Sequence, residues 1–196
     1  MYVHSCISIE ISNILFVQLS KARVTWLTIN KYPSRYITLC QPAATSDDEL
    51  DPDDPKKKTY YIFKRPERST EAERWIRRLE VKRIQDNKYR RGGARPYHRH
   101  IPTISIDSPI ESLPHDMPID YFDTTFFNGL QYNTQQLCAD PSLVAIPENE
   151  MMWFTHSPEE RLSDEVFTEH YGAGILAKYK FVQMDEANMP MDLTDF

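Results

Sequence analysis

Arg74, Arg77, Arg78, Lys82 and Arg83 recur at intervals of one, three and four, the spacing that groups side chains along one side of a helix. A guanidinium offers forked donors to phosphate oxygens, so such a row suits a polyanion better than it suits any reaction. Lys56, Lys57 and Lys58 stand upstream of it. Lys88, Arg90, Arg91, Arg95 and Arg99 come after it, interleaved with Tyr89 and Tyr97, whose rings could stack on exposed bases. Three adjacent lysines after a proline also form a minimal phosphate-binding or nuclear-import patch. The competing reading is a solvated amphipathic helix whose charges pair with Glu67, Glu71, Glu73 and Glu80, or with an acidic surface elsewhere.

The charge layout makes this block stand out. The 196 residues carry a formal net charge of -6, yet 16 of the 23 Lys and Arg fall within residues 56–99. By segment the net charge is -3 over 1–55, +11 over 56–99 and -14 over 100–196. An asymmetry of this size suggests either a polyanion partner or the two halves of the chain pairing with each other.

Other constellations carry less. Gly172-Ala173-Gly174 follows a helical pattern rather than a strand and lacks the third glycine of a dinucleotide loop. With only five glycines in the chain, phosphate-cradling loops have little to be built from. His98 and His100 would share one side of an extended strand, but no further ligand stands at metal spacing. Asp120 and Asp123 could hold a divalent cation as a nuclease does, or could cap a turn while Tyr121 and Phe122 pack. Glu169-His170 has no nucleophile setting beside it. The pattern therefore points away from catalysis, with no cofactor, metal or small-molecule substrate implied. Cys6, Cys40 and Cys138 are too few and too scattered for a disulfide framework, which predicts a reducing intracellular location. The apolar stretch at 11–19 is too short to span a bilayer and lacks the layout of a secretory signal, so no membrane partner is expected.

The elements that must position these residues follow from periodicity. Residues 1–41 read as a short β-prone segment, with alternation at Ile7, Ile9 and Ile11 and strand-like runs at 24–29 and 35–40. Residues 42–58, acidic and proline-rich before turning basic, read as a solvated linker. Residues 59–99 read as a basic strand, helix and loop. The helix is expected over 71–90, with Thr70 and Glu73 as a capping box, Trp75, Ile76 and Leu79 inward, and Gly92-Gly93 as its stop. A proline-rich connector spans 100–118. An aromatic-rich α+β module covers 119–183, with a helical turn at 134–139, a helix start at Ser157-Pro158, a helix from Ser163 ending at Gly172, and a closing strand at 175–182. Residues 184–196 form an acidic tail. The fold class is α+β: a small irregular domain with short strands, two or three helices, and flexible proline-rich and acidic segments.

Residues 113–128 (LPHDMPIDYFDTTFFN) resemble a segment of uncharacterised proteins of mushroom-forming, basidiomycete fungi that are encoded in or beside transposable elements. Residues 143–147 (LVAIP) and 162–168 (LSDEVFT) are similar to the downstream portion of those proteins, so the resemblance covers about 113–171. It implies no activity and no residue role. It does imply a nuclear, nucleic-acid-associated context.

The leading expectation is a non-catalytic protein that contacts the DNA or RNA backbone through residues 56–99. The alternative is an interaction or structural fragment whose basic block pairs with an acidic surface, its own or a partner's. A less favoured third is a nuclease or transposase remnant that uses Asp120 and Asp123.

Overall fold

A computed structural model describes residues 17–45, 48–50, 59–88, 98–100, 107 and 112–181. Six α-helices and five short strands lie among them, which makes the fold α+β, with more helices than periodicity alone predicts. Helix α1 covers 17–29, α2 Ser34–Thr38, α3 Thr70–Lys88, α4 Thr124–Asn128, α5 Tyr132–Cys138 and α6 Asp164–Leu176. Strand β1 (Asp48–Leu50) pairs antiparallel with β2 (Thr59–Ile62), and β2 pairs parallel with β3 (His98–His100), so α3 lies in the crossover between parallel neighbours. A second, two-stranded sheet joins β4 (Met117–Pro118) in parallel to β5 (Ala139–Asp140).

Residues 24–29 and 35–40 are helical rather than extended over most of their length. In α1 the buried positions are Ser20, Arg23, Trp26 and Leu27, which are spaced for a helix, but two of them are polar and hide the period. The β-branched threonines there bond back to carbonyls one turn earlier, Thr25 to Lys21 at 2.7 Å and Thr28 to Val24 at 2.9 Å. In and after α2, Arg35, Tyr36, Leu39 and Cys40 are the buried set, again one turn apart. Tertiary burial thus overrides β propensity. Within the expected linker, β1 forms by backbone pairing with β2, and a 3-10 turn at Pro42–Ala44 buries Ala44. The expected strand at 175–182 is replaced by the end of α6 and a turn. Two side chains hold the Lys180 backbone: Gln135 donates to its carbonyl at 3.1 Å, and Asn128 accepts from its N–H at 2.7 Å. Gly172 does not stop α6. It is buried inside the helix, where a Cβ would come within 3.2 Å of the Thr168 methyl. The alternation at Ile7–Ile11 and the tail at 184–196 lie outside the described residues.

Helix α3 matches the expected span closely, but its cap is Ser69 rather than Thr70. The Ser69 hydroxyl accepts from the Ala72 N–H at 3.1 Å and donates to the Asp120 carbonyl at 2.8 Å. Its backbone N–H donates to the Tyr121 carbonyl at 2.7 Å, so the start of α3 is fastened to 120–121. Trp75, Ile76 and Leu79 then enter a core that runs continuously from Trp26 to Ile175. Within it Trp26, Tyr32, Tyr36, Trp75 and Phe154 form a connected set of rings with centroid separations of 5.0–6.0 Å. Residues 59–88 and 119–181 therefore share one core.

Arg35 is the least expected member of that core. It is fully buried, with its guanidinium carbon 4.2 Å from the Phe167 ring centre and 4.9 Å from that of Tyr36. It donates to the Leu162 carbonyl at 2.7 Å, the Glu160 carbonyl at 3.2 Å and the Asp164 carboxylate at 3.1 Å. Losing a buried cation leaves these acceptors unmet, so Arg35→Ala is expected to lower stability by about 3–5 kcal/mol. Arg35→Lys, which keeps the charge but not the fork, should fall between. Urea unfolding measures both, and a loss below about 1 kcal/mol for Arg35→Ala would show that the guanidinium is dispensable.

Candidate functional site

The outward side of α3 presents Glu71, Arg74, Arg77, Arg78, Val81 and Gln85, all exposed. The inward side holds the helix through Ala72, Trp75, Ile76 and Leu79, so the three arginines stand on a fixed support. Of the five expected α3 cations, these three lie on the outward face, while Lys82 and Arg83 lie at its margin.

Each of the five meets an acceptor. Arg77 pairs with Glu73 at 2.6 Å, Lys82 with Asp86 at 3.8 Å, and Arg83 with Glu80 through a 3.2 Å bond. Arg74 pairs with Glu150 at 2.7 Å, and Arg78 donates to the Glu150 carbonyl, so both reach into the acidic half of the chain. Arg74 and Arg77 remain 57% and 43% exposed, and ion pairs in that setting are worth about 0–1 kcal/mol, little enough to exchange for phosphate. Four acidic groups, Glu71, Glu73, Glu80 and Asp86, offset six cations along the helix. Most of the +11 therefore lies off α3.

The other expected residues divide between the described part of the chain and the rest. Lys88 ends α3, and Arg99 lies in β3 in register with Tyr60. Lys56, Lys57, Lys58, Tyr89, Arg90, Arg91, Arg95 and Tyr97 lie outside the described residues. Three further basic residues near α3 are consumed by the fold. Arg65 is buried against Glu67 at 2.6 Å, and Arg68 against Glu73 at 2.6 Å. Arg23, on α1, is buried 3.4 Å from Glu80. Burial raises the proton affinity of Glu73, yet Arg68 and Arg77 together hold its carboxyl below the usual range.

Asp120 and Asp123 do not converge on a shared site. The Asp123 side chain caps α4 by accepting from the Phe126 N–H at 3.0 Å. The Asp120 carboxylate is buried and accepts from the Ala145 N–H at 2.9 Å and the Ile146 N–H at 2.7 Å. Asp123 thus caps a helix and Asp120 holds the 145–146 backbone across the chain, so each carboxylate is taken up by backbone N–H groups. Glu160, unmarked in the sequence, works the same way on a larger scale. It is fully buried and accepts from Phe154, Thr155 and His156, pinning a loop in which Phe154 and His156 both hold φ of 60°. The Ser157-Pro158-Glu-Glu signal could have hinted at a local cap, but not at a carboxylate serving the preceding turn. Among the described residues no group of three or more His, Cys, Asp and Glu is placed to hold a metal ion. Burial pushes the Cys40 thiol up to about 12, and Cys138 is raised by burial too, so both are packed, unreactive groups.

Burial raises the Asp120 carboxyl to about 6, against the opposing pull of the Ile146 and Ala145 N–H groups. A folded-state value above the unfolded one means that the native state binds the extra proton between about pH 4 and 6, so Asp120 weakens stability as pH rises through that window. Asp120→Asn removes this dependence. The wild type minus Asp120→Asn stability difference should fall by about 2 kcal/mol from pH 4 to 6 and level off above about pH 7, as read from urea midpoints. A flat difference would place the proton elsewhere.

No helix among the described residues is long and apolar enough to cross a membrane. No curated protein and no solved structure matches the chain. Residues 17–189 match the family described as a domain of unknown function, DUF8263, and the chain, from α1 through the segment beyond α6, belongs to that family.

Proposed function

We propose that this chain is a non-catalytic module that binds the phosphate backbone of nucleic acid through the arginine face of α3 and the basic segments that flank it. The observation that carries the reading is the fixed, outward row of Arg74, Arg77 and Arg78 on a helix whose opposite side is locked into the core. Rigid presentation reduces the entropy lost on binding, and the exposed ion pairs of the row can be traded for phosphate at little cost. Lys88, Arg90, Arg91, Arg95 and Arg99 extend the positive charge past the end of the helix, and Lys56–Lys58 precede it. Tyr89 and Tyr97 would add stacking on unpaired bases. The resemblance to transposable-element-associated fungal proteins supports a nuclear, nucleic-acid setting for such a module.

A second reading has its own support. Arg74 and Arg78 both reach Glu150, which favours a basic block that pairs with the acidic half of the same chain.

Backbone binding is non-specific and salt-dependent, because displaced counterions return to the solvent. Fluorescence anisotropy with labelled DNA and RNA across a salt series is the test. Affinity should drop steeply from low to moderate salt and vary little with sequence. Replacing Arg74, Arg77 and Arg78 by Gln should weaken binding and flatten the logarithmic salt slope by about two to three. Absence of binding at low salt would end the proposal and leave internal pairing as the role of the block.

A further inference from the structure

The start of α3 and the end of the described chain are both tied to Phe122. Arg68, just before α3, bridges antiparallel to Phe122, and the Tyr179 hydroxyl donates to the Phe122 carbonyl at 2.9 Å. Phe181 packs on Phe127 with ring centres 5.5 Å apart. The described chain thus ends two residues past Tyr179, which is fastened to the same Phe122 that bridges to the residue before Ser69, the cap of α3.

Residues 182–196 continue from there, with Asp185, Glu186, Asp192 and Asp195 and no Lys or Arg. Met184, Met189, Met191, Leu193 and Phe196 are interspersed among the acids. The outward side of α3 offers the complement: three arginines, then Val81 at 55% exposure, with Met151 at 79% next to Glu150, the partner of Arg74 and Arg78. Arg74 to Arg78 lie about 6–12 Å along the axis from the start of α3 at about 1.5 Å per residue. Asp185 and Glu186, four and five residues past Phe181, can reach about 13–17 Å.

We propose that the acidic, methionine-bearing segment 184–196 docks on the Arg74–Arg77–Arg78 face of α3 and competes there with polyanion, so that the chain regulates its own basic surface. The competition rests on the function proposed above; the docking does not. The tether supplies an effective concentration in the millimolar range, enough to keep even a weak contact mostly formed. A polyanion with many phosphates can displace it, while a short or sparsely charged one cannot.

The test uses the full chain in two forms, the natural one and one with Asp185→Asn, Glu186→Gln, Asp192→Asn and Asp195→Asn. A fluorescein-labelled peptide of residues 182–196 at low salt is the first probe. It should bind the neutralised chain at least about tenfold more tightly than the natural chain, whose own segment occupies the face. Adding Arg74→Gln, Arg77→Gln and Arg78→Gln to the neutralised chain should abolish peptide binding, with circular dichroism confirming that the fold is kept. No peptide binding to the neutralised chain overturns the docking, and binding that survives the arginine changes overturns the site. A labelled single-stranded oligonucleotide is the second probe and should bind the neutralised chain more tightly, with peptide displacing it. Peptide binding without oligonucleotide binding upholds the docking and overturns the competition along with the nucleic-acid reading. Oligonucleotide binding without peptide binding upholds the nucleic-acid reading and overturns both the docking and the competition.

Discussion

The buried guanidinium of Arg35 sets the terms on which the surrounding elements pack. A cation taken wholly out of water is costly unless its N–H groups are met, and here both terminal nitrogens find acceptors 124 to 129 residues away while Nε has none. The Leu162, Glu159 and Glu160 carbonyls and the Asp164 carboxylate converge on it, while Phe167 and Tyr36 cover its faces. Through that one side chain α2 is fixed against the start of α6. Asp164 strengthens the joint by also accepting from the Arg35 N–H at 3.1 Å and from the Ser34 hydroxyl. Tyr36 then sits against Trp75, and the inner side of α3 has a wall to pack on. The outward arginines inherit their fixed position from this chain of contacts.

Much of the charge in this protein is structural. Glu160 organises the 154–157 loop, Asp120 the 145–146 segment, Asp123 the start of α4, and Glu67 and Glu73 the buried Arg65 and Arg68. Burial raises the Glu160 carboxyl, and four backbone N–H groups pull the other way. Such carboxylates can hold loops of irregular backbone where helices and sheets do not satisfy the N–H groups. The acidic half of the chain therefore does more than carry a negative field, and some of the basic block does other than meet a partner.

The elements differ in how plainly the sequence announces them, and the reasons are physical. Helix α3 is legible because a capping serine or threonine, acids in the first turn and an apolar stripe at Trp75, Ile76 and Leu79 all agree with one another. The start of α6 at Ser163 is equally plain, and its hydroxyl does accept from the Val166 N–H at 3.3 Å. Helix α1 is hidden because Ser20 and Arg23 occupy inward positions, made tolerable by the Cys40 carbonyl and the Glu80 carboxylate. No local window contains those partners. The arginine face is visible as a row of cations, but which of its members stay exposed and which pair with distant acids depends on where Glu150 folds back.

Composition and short spacing were enough to establish the α+β class, the principal helix with its inward stripe, the segregation of charge into a basic block before an acidic half, and the lack of glycine for a phosphate loop. These are properties that local physics controls. It took the folded chain to turn Arg35, Arg65 and Arg68 inward while Arg74, Arg77 and Arg78 stay out, and to spend Asp120 on the 145–146 backbone and Asp123 on the start of α4. Folding also ties Tyr179, near the end of the described chain, to the Phe122 carbonyl, and Phe122 bridges to Arg68 just before α3. A charge costs little in water and much in a core, so its role is set by partners that only the folded chain brings within reach.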